Sequence, residues 1–85
     1  MVNLEDVRSK DYQRNVDREG WGTDGKDNCL ICGRIIQDTP HWIRMTVFGE
    51  LAGPDAVIHE CDDQGCFPIG RSCLRKHPQL RELAS

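Results

Sequence analysis

The chain has no long apolar run, few aromatic side chains and little surplus positive charge. Its apolar segments are only a few residues long, far short of the roughly 18 needed to span a membrane, so no membrane span is expected. The opening residues, MVNLEDVRSKDYQRN, hold no apolar stretch of signal length. The cysteine count of 5 is odd, whereas a secreted disulfide framework usually carries an even number behind a signal. A reduced, cytoplasmic setting is therefore the expected one. With 11 Lys and Arg against 14 Asp and Glu, the formal net charge is -3, and no uniformly basic surface exists to attract nucleic acid.

Aromatic residues make up 6% and apolar residues 38% of 85 positions. A chain of this length buries only a modest share of its surface, so one domain with some additional staple is expected. The five cysteines supply candidates for that staple.

Residues 1–28 are polar, with charges of both signs interleaved and a glycine-rich stretch, GWGTDGKDN, before the first cysteine. The composition reads as a flexible N-terminal arm. Within it Val2, Leu4, Val7, Tyr12 and Val16 offer one or two turns of weak helix, and Trp21 is the residue expected to dock onto the domain formed by 29–85.

That domain opens with CLICGRII, where Cys29 and Cys32 are two apart and Gly33 follows directly. The spacing is that of a zinc knuckle, and the tight turn after the second ligand favours a residue that tolerates positive φ. A redox dithiol is the competing reading, but its usual setting is a helix start in a thioredoxin-like fold, which this short pattern does not build. Pro40 ends any strand over 34–37. HWIRMTVF, residues 41–48, alternates Trp42, Arg44, Thr46 and Phe48 against Ile43, Met45 and Val47, which predicts a strand. Gly49–Pro54 reads as a turn and Ala56–His59 as the returning strand of a hairpin. HECDDQGCF reads as a polar loop, and a helix begins at Arg71 or Ser72. Pro78 interrupts that helix or opens a second short one.

Zinc takes about four ligands, preferably thiolate and imidazole. Cys73 and His77 have the i, i+4 spacing that places two side chains on one helix face, so with Cys29 and Cys32 they make a Cys3His site for one structural Zn2+. Pro78 weakens His77, because the residue before a proline is pushed out of helical geometry. Cys61, Cys66, His41 and His59 are the alternative fourth ligands. Two independent sites would consume every Cys and His and are not expected, and Cys61 and Cys66 otherwise read as reduced thiols. The expected fold is a small α+β zinc-stabilised domain in which knuckle, β-hairpin and C-terminal helix follow one another as in a treble clef.

The two blocks CxxCGR, beginning at Cys29, and FPIGRSCLRKHPQL, from Phe67 to Leu80, resemble a group of small, mostly uncharacterised treble-clef proteins of phages and bacteria. Those pair a C-x-x-C-G-[RK] knuckle with a later aromatic-Pro-[IV]-G-x-x-C-x-[RK]-[KR] segment. The resemblance implies a zinc-bound treble clef with Cys29, Cys32 and Cys73 as ligands and carries no established activity. The acidic loop with Cys61 and Cys66 lies outside both blocks.

Three function classes follow. The acidic balance and small size favour a zinc-finger adaptor that binds a protein partner. The local concentration of Arg71, Arg75, Lys76 and Arg81, with Trp42 as a stacking surface, supports nucleic-acid binding as the alternative. Catalysis has little support, since a site with three thiolates and a histidine is normally closed and Glu60 beside His59 is the only tempting base.

Overall fold

The computed structural model describes residues 2–85. A four-stranded antiparallel sheet organises the chain, built from β1 (Val2–Asn3), β2 (His41–Thr46), β3 (Glu50–Ala52) and β4 (Asp63–Ile69) in the order β1-β3-β2-β4. Helices α1 (Leu4–Val7) and α2 (Tyr12–Glu19) precede the central strands, and α3 (Arg71–Lys76) follows them.

The alternation in HWIRMTVF forms β2 as expected, with Ile43 and Met45 buried and Trp42 exposed. The strand ends at Thr46, so Val47 and Phe48 are exposed on a turn instead of continuing the pattern. Thr46 holds that turn, its Oγ1 accepting from the N–H groups of Phe48 and Glu50 at 3.3 and 3.2 Å.

The return strand differs from the expected one. Leu51 pairs with Met45 and Ala52 with Arg44, so the hairpin closes through Gly49 (φ 81) onto ELA, whereas Ala56–His59 forms no strand and Val57 is 101% exposed. A close turn brings residues 50–52 into register immediately after β2, before the more β-prone AVIH is reached. Residues 53–62 instead loop outward, pinned by Arg44, whose guanidinium donates to the carbonyls of Pro54 and Ala56 and to the Asp63 carboxylate.

The segment read as a polar loop is largely β4. It runs antiparallel to β2, with Ile43 opposite Phe67 and His41 opposite Ile69. It lies at the sheet edge, where acidic residues, Gly65 and Pro68 are compatible with a strand because only one side of the backbone ladder must be completed.

Residues 1–28 were expected as an arm separate from 29–85, but among the described residues both sides of that boundary share one core. Val7 is buried with Ile31, Leu51 and Leu80, and Val2 and Leu4 pack against the same cluster. Val2 pairs with Leu51 and Asn3 with Glu50. Trp21, the expected docking residue, is 71% exposed; the short apolar residues at the chain start make the core contacts instead.

α3 begins at Arg71, as expected, and ends at Lys76. Its C-cap His77 has φ -127 and ψ 78, the departure from helical geometry that Pro78 imposes on the residue before it. Pro78 then opens a 3-10 turn, Pro78–Leu80, which buries Leu80.

Candidate metal centre

Asn28 bridges to Ile35, the Cys29 N–H donates to the Arg34 carbonyl at 2.9 Å, and the Gly33 N–H donates to the Cys29 carbonyl at 2.9 Å. These bonds fold Cys29–Arg34 into a tight turn in which Gly33 has φ 78. The glycine is required for a second reason: a Cβ there would lie 2.5 Å from the Tyr12 carbonyl oxygen.

Cys73 comes from the first turn of α3. The strand and helix bring it to the knuckle so that the Sγ atoms of Cys29, Cys32 and Cys73 all lie within 4.8 Å of one another. With zinc–sulfur bonds near 2.3 Å, a tetrahedral site needs sulfur–sulfur edges of about 3.8 Å, so the three thiols are already gathered near the right size. Cys29 and Cys73 are buried and Cys32 is half-buried.

The electrostatics fit a cation. The Cys29 thiol is held far below its usual range, first by hydrogen bonds from Cys32 and Cys73 and also by the Gly70 N–H, which donates to its sulfur at 3.3 Å. Cys32 and Cys73 are pushed up, chiefly because each shares its proton with Cys29. Cys29, Cys32 and Cys73 would hold a divalent ion here, and its positive charge would favour the thiolate form of all three.

Sequence reasoning missed the residues that orient the knuckle. Asn15 on α2 is buried and its Nδ2 donates to the Cys32 carbonyl at 2.8 Å. Glu19 accepts from the Ile35 N–H at 2.9 Å and from Arg34 Nε at 3.1 Å. Its pKa is lowered, first by the Ile35 hydrogen bond, with Arg34 and Arg18 adding to the effect against partial burial. Asn28 is buried beside Cys29, and its amide bonds the carbonyls of Gly20 and Gly33. The only sequence signal for this support was an asparagine directly before the first knuckle cysteine.

Among the described residues the 4.8 Å group comprises the three cysteines and none of the other candidate ligands. His77 is half-buried just past α3, its N–H donating to the Cys73 carbonyl at 3.0 Å. His59 Nδ1 accepts from the Cys61 N–H in an exposed turn. Cys61 and Cys66 are exposed, and His41 starts β2.

The cationic residues divide. Arg71, Arg75 and Arg81 line one cleft of about 410 Å³ with His41, Leu74 and Ala84. Lys76 lines a different cleft, beside Cys73 and Cys32. Trp42 follows His41 on β2 and therefore projects from the opposite sheet face.

No protein family, curated protein or solved structure matches the chain.

Proposed function

We propose that the chain is a zinc-stapled binding module for a protein partner, with one structural Zn2+ held by Cys29, Cys32, Cys73 and His77. The observation that carries the metal reading is the convergence of three cysteine sulfurs from two distant segments within 4.8 Å. The order of knuckle, hairpin and ligand-bearing helix supports a treble-clef arrangement. His77 is proposed as the fourth ligand because it directly follows the helix that carries Cys73. Bound there, zinc supplies cross-linking of knuckle to helix, while Asn15, Glu19 and Gly70 orient the sulfurs.

Structural zinc contributes on the order of 10 kcal/mol in small domains, comparable with a domain's whole stability. Native mass spectrometry of the intact chain and of Cys73→Ser, His77→Ala, Cys61→Ser and Cys66→Ser variants tests the reading. One zinc is expected in the intact chain, lost with Cys73→Ser, weakened by His77→Ala and kept in the other two. An intact chain without zinc, refolded in its presence, would overturn the proposal.

Nucleic-acid binding is the second reading, favoured by the gathering of Arg71, Arg75 and Arg81 around one cleft. If it operates, affinity for a duplex oligonucleotide falls steeply with salt, and Arg75→Glu with Arg81→Glu reduces it further.

A further inference from the structure

Trp21 is 71% exposed, yet its position is tightly built. Gly20 and Gly22 on either side have φ 84 and 64, a turn that side chains would disfavour. Asn28, only 4% exposed, accepts from the Gly22 N–H at 2.9 Å and donates to the Gly20 carbonyl at 2.8 Å. One buried amide thus grips the peptide groups on both sides of Trp21. Its other N–H donates to the Gly33 carbonyl at 2.9 Å, tying the tryptophan turn to the metal knuckle.

The held tryptophan lines a cleft of about 340 Å³ whose apolar lining includes Leu4, Tyr12, Leu30, Met45 and Phe67. That volume lies at the small end of the roughly 300–1,000 Å³ of ligand pockets, suited to one or two anchoring side chains. Arg8 and Lys26 supply positive charge to the lining against a single carboxylate, Asp27. The Arg8 guanidinium is 3.9 Å above the Tyr12 ring and its Nε donates to the Leu30 carbonyl at 3.4 Å. Lys26 Nζ donates to Gln37 Oε1 at 2.9 Å. Among the described residues neither cation is in an ion pair, so no carboxylate of the chain occupies the place of an incoming acid.

We infer that this cleft docks a peptide segment of a protein partner that carries a large apolar side chain flanked by acidic residues. The apolar anchor fits against Trp21, Leu30, Met45 and Phe67, and the flanking carboxylates meet Arg8 and Lys26. Exposed, preorganised tryptophan and arginine are the residues that most often dominate binding energy at interfaces. A nucleobase fits less well, because the cleft's one side-chain amide, Asn28, is committed to the backbone and is not free to read a base edge. The inference rests on the reading of the chain as a protein-binding module and gives that reading a site and a partner chemistry.

The test uses the full chain, refolded in the presence of zinc, to select from a phage-displayed random dodecapeptide library. Fluorescence anisotropy then measures the enriched peptides and a thymidine dodecanucleotide, and metal content is read on the same samples. Enriched peptides are expected to share a large apolar residue with Asp or Glu beside it. Trp21→Ala should weaken binding at least tenfold and Trp21→Phe less. Arg8→Gln combined with Lys26→Gln should weaken it about fivefold, and every variant should keep its zinc. The inference is overturned if nothing is enriched, if the peptides lack acids or bind Trp21→Ala equally well, or if only the oligonucleotide binds. Zinc retained without peptide binding rejects this site alone, while peptide binding by a chain that holds no zinc rejects the metal reading and leaves the cleft standing.

Discussion

Gly33→Ala should be far more damaging than an alanine at another left-handed glycine, and the difference measures how firmly α2 is seated on the knuckle. Gly33 has φ 78, and Gly25, the control, has φ 73. The backbone penalty for alanine is therefore similar at the two sites, about 1–2 kcal/mol. At Gly25 the added methyl meets nothing within 4 Å; at Gly33 it meets the Tyr12 carbonyl oxygen at 2.5 Å and Val16 Cγ2 at 2.9 Å. The first of these is backbone and cannot rotate away, so α2 must lift, straining the Asn15 bond to the Cys32 carbonyl. Overpacking of this kind costs about 1–3 kcal/mol more. For a domain of this size each kcal/mol shifts Tm by roughly 4–8 °C, so Gly25→Ala should lose about 5–15 °C and Gly33→Ala about 10 °C beyond that. Thermal unfolding followed by circular dichroism at one fixed zinc concentration provides the comparison. Equal shifts in the two variants would refute the seating of α2 against the knuckle.

Asn28→Ala removes three hydrogen bonds around one buried amide and should cost about 2–4 kcal/mol in denaturant unfolding, with a change in Trp21 emission that a remote destabilising variant does not show. Glu19 has a folded pKa below its usual 4.5, so its stabilisation is complete above that value and disappears as pH falls through the folded one. The stability difference between the wild type and Glu19→Gln should therefore be constant from neutral pH to about 5.5 and shrink below about 5, and a constant difference throughout would contradict the Ile35 and Arg34 contacts. Cys61→Ser and Cys66→Ser alter exposed thiols and should each change stability by no more than about 0.5 kcal/mol; loss of metal in either would place it among the ligands. Ile69→Ala, at a fully buried position beside Gly70, should cost about 2–5 kcal/mol and, if the metal-free chain is unfolded, raise the apparent zinc Kd about 30-fold or more in a competition titration.

The features legible in the sequence were those encoded by short-range chemistry. CxxCG specifies its own turn, and the alternation of Ile43 and Met45 specifies β2. Pro78 announced the end of α3 and hence the weakness of His77. The packing of α2 was invisible because YQRNVDRE contributes little apolar burial; Asn15 donates a hydrogen bond to the Cys32 carbonyl and Glu19 accepts one from the Ile35 N–H, and such residues look the same in sequence as a solvated helix face. The choice between ELA and AVIH as return strand was decided by the closeness of the Gly49 turn, against local β-propensity. β4 was obscured by acids, glycine and proline that are compatible with a strand only at an edge, and edge position depends on the assembled sheet.

The same distinction bears on how the cysteine site comes to exist. Cys29 and Cys32 share one turn and can approach an ion while the rest of the chain is disordered, but Cys73 arrives only when β4 has paired with β2 and α3 has followed it. The third sulfur is therefore a product of the sheet, and an ion that prefers three sulfurs to two must favour the paired sheet by the difference in its affinity for the two sets. Burial works in the same direction: desolvation raises the cost of ionising Cys29 and Cys73, and a divalent ion held by them would offset it. The N-terminal segment extends this coupling through Asn15 and Asn28, which donate to the Cys32 and Gly33 carbonyls of the knuckle. A metal at this site would accordingly stabilise the sheet, the seating of α2 and the turn that presents Trp21 together, which gives one ion control over both the fold and the exposed surface proposed for binding.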